Sequence, residues 1–165
     1  MSEIILCKNC RKPKAPYICG ICQEHTCKSC THFMDESTFS FLRKIPVELS
    51  HTSYCPSCFD EKVATPLSGY EEMMEKARNV MIFTKDESKR TGHIKRKEDP
   101  IKVEDCEDEQ ETILRLAFQA AQEGFNCILD VSISNRKIIV GSHKKTVFSG
   151  TARPVTIDPK EIREY

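Results

Sequence analysis

Two domains of different character are predicted by the sequence: a short cysteine-stapled segment, then an α+β domain with a mostly antiparallel sheet and one long helix. Three observations carry this. Eight of the ten cysteines in 165 residues fall within the first 58, as four Cys-x2-Cys pairs. Apolar residues recur at helical spacing over 113–121, and alternate with polar ones from 125 to 133. Hydrophobic residues are 39% of the chain, enough for a core but not a large one. The 25 basic residues balance 25 acidic ones, which removes a bulk pull toward nucleic acid or an anionic membrane. No apolar run approaches the roughly 20 residues of a spanning helix. Met1-Ser2-Glu3 opens no secretory signal, so a reducing, cytoplasmic setting is expected.

The first domain is expected over 1–62. A segment this short seldom buries enough apolar surface to fold on a core alone, so it needs a staple. A reducing compartment favours metal over disulfide. The pairs are Cys7/Cys10, Cys19/Cys22, Cys27/Cys30 and Cys55/Cys58, separated by eight, four and twenty-four residues. A two-residue spacer lets both thiolates of a pair reach one tetrahedral ion. Four pairs make two closed four-thiolate sites, which are structural rather than catalytic. Two zinc ions are therefore expected, ahead of a disulfide scaffold, a thioredoxin-like dithiol or an iron–sulfur site. The short gap between Cys22 and Cys27 favours a cross-brace over sequential sites. Cys7, Cys10, Cys27 and Cys30 would then share one ion, and Cys19, Cys22, Cys55 and Cys58 the other. His25, His32 and His51 are read as neighbours rather than ligands. Lys8, Arg11, Lys12 and Lys14 are read as solvated surface that balances the thiolates.

A connection and short helix are expected over 63–77, with Met73, Met74 and Ala77 on one side, and the second domain over 78–165. Residues 79–84 read as a strand. The charged stretch 85–102 holds seven basic and four acidic residues, with strand segments at 93–96 and 101–103. Carboxylates at 104–111 suit a helix start, where they face the positive dipole end. That helix is expected over 107–123, with Ile113, Leu116, Ala117 and Ala120 on its apolar face and Gly124 as its stop. A strand follows at 125–133, with Cys127, Leu129, Val131 and Ile133 on the apolar face. A turn is expected at Asn135-Arg136, another strand at 137–141, and a last one at 146–157. Pro154 would place that last strand at an edge or a bulge.

The order of the four pairs, the four-residue gap and the ending Cys55-Pro-Ser-Cys58-Phe59 resemble the FYVE and rabphilin-type double-zinc fingers over 4–62. The lipid-binding signatures of FYVE domains are missing: there is no Trp, and the third and seventh cysteines sit in Ala15-Pro-Tyr-Ile-Cys19-Gly and Ser53-Tyr54-Cys55. Residues 1–62 carry eight basic and seven acidic side chains, formally +1; eight thiolates and two divalent ions bring this to about −3. A finger of that charge suits protein better than phosphate. A RING-like ligase is a further alternative, although Cys22 stands where RING fingers have a His. The second half resembles the YbjQ-type family over 78–157, through Ala120, Gly124, Asn126, Ile128 and Val131 and the closing Gly150-Thr151-Ala152. Arg153-Pro154 and Cys127 depart from its pattern. That resemblance implies a small α+β domain that assembles as a homo-oligomer, often a ring, in a group labelled for heavy-metal binding.

No GxSxG, GxGxxG, P-loop or HExxH motif is present. Asp130 has no evident carboxylate partner and Ser132, Ser134 and Ser149 no identifiable base, and Cys106, Cys127, His93 and His143 form no ligand set. The expected function is a non-enzymatic recognition or adaptor protein that displays the finger to a protein partner, with neither nucleic acid nor lipid as its ligand. The alternatives are a metal-handling or redox-sensing protein, a RING-like ligase module and a phosphoinositide-binding module.

Overall fold

The structure, a computed structural model, describes residues 3–158 and Lys160. Met1 and Ser2, at the start of the expected first domain, and 159 and 161–165, at the end of the second, lie outside the described residues. The chain divides into two compact units, Met1–Glu71 and Glu72–Tyr165.

The first unit is built on two minimal hairpins. Strand β1 (Tyr17–Ile18) pairs antiparallel with β2 (His25–Thr26), and β3 (His32–Phe33) with β4 (Ser53–Tyr54). The long segment between β3 and β4 is not bare loop. Phe39, Leu49, Tyr54 and Val63 bury into one apolar cluster, with Met34, Leu42, Phe59, Leu67 and Tyr70 packed around it. The buried Tyr54 hydroxyl donates to the Glu48 carbonyl at 2.8 Å and accepts from the His51 N–H at 3.1 Å, so its polar end is satisfied.

After β4 the chain is helical without a break: α1 (Pro56–Cys58), a π-helical stretch Phe59–Val63, and α2 (Ala64–Arg78). Residues 59–68 read from the sequence as a connection and 69–78 as a short helix, whereas the helix runs through Pro66, which cannot donate to the helical ladder. The π stretch reconciles the two. The Ala64 N–H reaches back five residues to the Phe59 carbonyl, which shifts the hydrogen-bond register just before Pro66.

The second unit is a four-stranded sheet of order β5-β7-β8-β6. Strand β5 (Met81–Thr84) runs parallel to β7 (Cys127–Val140); β8 (His143–Val155) is antiparallel to β7 and to β6 (Ile101–Cys106). Helix α3 (Ser88–Thr91) is a single turn, and α4 (Glu109–Gln122) covers one sheet face. Asp108 caps α4, accepting from the Glu111 N–H at 2.7 Å, while Glu111 reaches back to the Glu107 N–H. Its C-terminus closes through Gly124 at φ +86°, with Gly124 N–H bonded to Ala121 and Phe125 N–H to Ala120. Gly150 lets α4 come close: a Cβ there would lie 2.6 Å from Thr112 Cγ2. The other face buries Phe83, Cys127, Leu129, Val155 and Ile157, with Ile94 laid over them.

Two expectations are corrected. The turn at Asn135-Arg136 is absent: both residues continue β7, opposite Phe148 and Val147, and the chain reverses at Gly141-Ser142, where Gly141 has φ +62°. Residues 93–96 form no strand; they cross the sheet irregularly. The Arg96–Asp130 pair explains the second. Asp130 sits at φ +55° in a β-bulge, and Arg96 grips it with Nε–Oδ2 at 2.6 Å and a second bond at 3.2 Å. The same guanidinium donates to the Thr91 and Ile94 carbonyls, which is why the segment needs no strand pairing. Pro154 lies past Ile101–Ala152, the end of the β6 ladder, so β8 is an edge there.

Candidate metal centre

Each cysteine pair is made by the same local turn. The first cysteine's carbonyl accepts from the N–H four residues on: Arg11 to Cys7 at 2.9 Å, Gln23 to Cys19 at 2.9 Å, Thr31 to Cys27 at 3.0 Å and Phe59 to Cys55 at 3.0 Å. In the first two turns the residue after the second cysteine, Arg11 (φ +62°) or Gln23 (φ +60°), sits in the left-handed region, which non-glycine residues seldom occupy.

The hairpin β1–β2 then sorts the pairs. Cys19 follows directly on β1 and Cys27 on β2. Antiparallel strands deliver these exits to opposite ends, and the return strand His25–Thr26 fills the second half of the four-residue gap between Cys22 and Cys27. Lys8 N–H to the His25 carbonyl at 2.8 Å brings the first pair to the Cys27 end, and Gly20 N–H to the Ser53 carbonyl at 2.9 Å brings the fourth pair to the Cys19 end. Two tetrads result: Cys7, Cys10, Cys27 and Cys30, and Cys19, Cys22, Cys55 and Cys58. This interleaving is compatible with a cross-braced double zinc finger.

The geometry fits a tetrahedral ion. Within each tetrad all four sulfurs lie within 4.8 Å of one another. Cys10 and Cys27 Sγ are 3.6 Å apart, and Cys22 and Cys55 Sγ 3.7 Å. Four thiolates at zinc–sulfur bond length on a tetrahedron stand about 3.8 Å apart. All ten cysteines are free thiols.

Electrostatics say the same. The Cys10 N–H leads the donors that hold Cys7 down to about 6. Burial is the largest influence on Cys19 and opposes its ionisation, but the N–H groups of Cys55, Cys22 and Ile21 together bring it to about 6. The Cys30 N–H lowers Cys27 as well. Their tetrad partners move the other way. Cys30, despite the Asn9 amide at 3.3 Å, is pushed up to about 11 by Cys27, burial and the sulfurs of Cys10 and Cys7. Burial first, then the surrounding sulfurs, raise Cys58, and burial raises Cys55. Four thiolates crowded together cannot all ionise without a cation between them. Each tetrad could hold a metal ion, consistent with zinc.

Lys8, read as solvated surface balancing the thiolates, makes a specific contact, and Asn9 went unrecognised in the sequence. Lys8 extends its ammonium to Cys22 Sγ at 3.5 Å, from a knuckle of one tetrad to a sulfur of the other, and this contact raises its own pKa. Asn9 donates to Cys30. Both fill the spacer of the first pair, which places them beside thiolates; for Asn9 that position was the only signal. The histidines are not in either tetrad. His25 Nδ1 lies 3.2 Å from the Ala15 carbonyl, His32 stacks on Phe59 with ring centroids 4.2 Å apart, and His51 lies against Gly20.

Among the described residues these two tetrads are the only such ligand groups. Cys127 is enclosed in the core of the second unit, where burial pushes its thiol up to about 12; burial raises Cys106 too. No helix among the described residues is long and apolar enough to cross a membrane. No family model matches the chain, and no curated protein or solved structure matches it either.

Proposed function

We propose that the first unit is a recognition module, built as a FYVE- or rabphilin-like double-zinc finger, and that the protein is a non-enzymatic adaptor. When bound, each ion would neutralise half of its four thiolate charges and fix the fold; closed coordination leaves no position for a substrate. The observation that carries the recognition reading is an apolar surface beside the first tetrad. Ile4 is 76% exposed and Phe33 54%, and Ile5, Leu6 and Ile18 are also open to solvent. Ile4, Ile5, Pro13, Ala15 and Pro16 line a shallow groove there. A contiguous apolar surface on a small finger marks an interaction site. The partner we infer is a protein segment with apolar anchors, since the finger's formal charge near −3 disfavours phosphate. The second unit, read as a YbjQ-like oligomerising domain, would present several fingers together and add avidity.

Peptide display against the zinc-loaded full chain tests this. Enriched peptides should carry large apolar residues, and Ile4→Asp with Phe33→Asp should abolish their binding while zinc content stays unchanged. Enrichment that ignores both substitutions contradicts the reading. Light scattering checks the assembly, for which a monomer is the contrary result.

A second reading, metal handling or redox sensing, is favoured by one contrast: Cys10 is exposed, whereas Cys19 and Cys55 are buried. It expects chelator to remove zinc from the first tetrad while the unit stays folded. The recognition reading expects zinc and fold to be lost together.

A further inference from the structure

The zero net charge conceals an uneven distribution. Residues 131–157 contain five cations, Arg136, Lys137, Lys144, Lys145 and Arg153, and no carboxylate. Four of the five sit on the far end of the β7–β8 ribbon; Arg136 is paired with Asp105 at 3.0 Å, which leaves Lys137, Lys144 and Lys145 as the charge of that end. Strand β6 pairs with β8 only from Phe148 onward and β5 with β7 only up to Val131, so among the described residues the ribbon beyond Asn135 and Phe148 has no neighbouring strand. Its end carries Ile138-Ile139-Val140, with Ile139 75% and Val140 56% exposed. Charged residues on a bare ribbon can serve merely to block edge-to-edge pairing. That role does not explain three adjacent apolar residues at the extremity, which work against it.

We propose that this ribbon end is a wedge that inserts into an anionic lipid bilayer. The cross-strand register places Lys144 opposite Ile139, Lys145 opposite the half-buried Ile138 and His143 opposite Val140, so two of the three apolar residues have a long cation beside them. Such side chains extend back to the headgroups while their stems stay in apolar surroundings. Three strand residues span about 10 Å, which matches the roughly 5–10 Å to which interfacial elements bury their apolar parts. Ile138 and Val140 point to one face and Ile139 to the other, an arrangement suited to entry end-on rather than lying flat. The ladder from Asn135–Phe148 to Val140–His143 pairs the inward-facing backbone groups, while those on the two open edges need water or headgroup partners, which confines the ribbon end to the interfacial layer. Nucleic acid is the weaker fit, since an Ile-Ile-Val end offers no side-chain donor to a base edge.

The test uses the full zinc-loaded chain with vesicles of phosphatidylcholine alone or mixed with phosphatidylserine. It should sediment only with the mixed vesicles, less so at high salt, and Lys144→Gln with Lys145→Gln should weaken binding roughly thirty-fold. The chain contains no tryptophan, so Ile139→Trp adds a single reporter whose emission should shift to the blue on mixed vesicles. Both substitutions lie on exposed ribbon, and circular dichroism checks that the fold is kept. The proposal is overturned if the chain ignores phosphatidylserine, if the reporter stays unshifted, if the lysine variant binds like the parent, or if duplex RNA rather than vesicles is what the lysine variant loses.

Discussion

At Gly20 a hydrogen is all that fits beneath the ring of His51. A Cβ there would overlap the imidazole's Cβ and Cγ, atoms too near the backbone to swing away. Gly20 also donates to Ser53 and follows Cys19, so any shift is felt in the second tetrad. Gly20→Ala should destabilise the first unit by about 1–3 kcal/mol, the usual cost of overpacking, read as a lower midpoint of zinc-loaded unfolding. Cys127 supports a prediction of a different kind. Its thiol has a folded-state pKa of about 12, above the value of about 8.5 of an unfolded thiol. The stability it contributes is therefore complete below the unfolded value and is lost as pH rises toward the folded one. The stability of the second unit against denaturation should fall between pH 9 and 12 by up to about 1.4 kcal/mol per pH unit. Cys127→Ala should remove most of that slope, and a slope unchanged by the substitution would show that another group is responsible.

At the scale of the element, the Arg96–Asp130 pair holds the 93–96 segment to the sheet. The two side chains are 22% and 24% exposed, so removing one leaves the other poorly solvated. Arg96→Met should cost about 2 kcal/mol, and hydrogen exchange should show faster opening at Thr91 to Arg96. Equal exchange in both proteins would contradict the role. This pair also marks where the sequence stopped being legible. Helix α4 could be read because its apolar spacing, acidic start and Gly124 stop all agree. The 93–96 segment could not, because its partner lies in a bulge at Asp130, more than thirty residues away. The turn at Asn135-Arg136 was misplaced for a related reason. Asn135 favours turns locally, but the ladder with Val147 and Phe148 outweighs that preference, and Gly141 supplies the positive φ the reversal needs. The grouping of the cysteine pairs was readable because a four-residue gap has room for one return strand and little else. Lys8 and Gly20 were not, since their roles depend on contacts across the finger.

At the scale of the molecule, the two units should respond differently to metal removal. The first has only a small apolar cluster around Tyr54, so chelation should unfold it. The second, with α4 packed on a sheet buried on both faces, should keep its structure. Hydrogen exchange in excess chelator should then show protection lost at Tyr17–Thr26 and retained at Cys127–Val131. The central claim, that the pairs interleave on two ions, is tested most directly by counting zinc in double variants with native mass spectrometry. The parent should carry two ions. Cys7→Ser with Cys27→Ser strikes one tetrad twice and should leave one ion, while Cys7→Ser with Cys19→Ser strikes both and should leave none. One ion in the second variant and none in the first would contradict the cross-brace and assign the pairs sequentially.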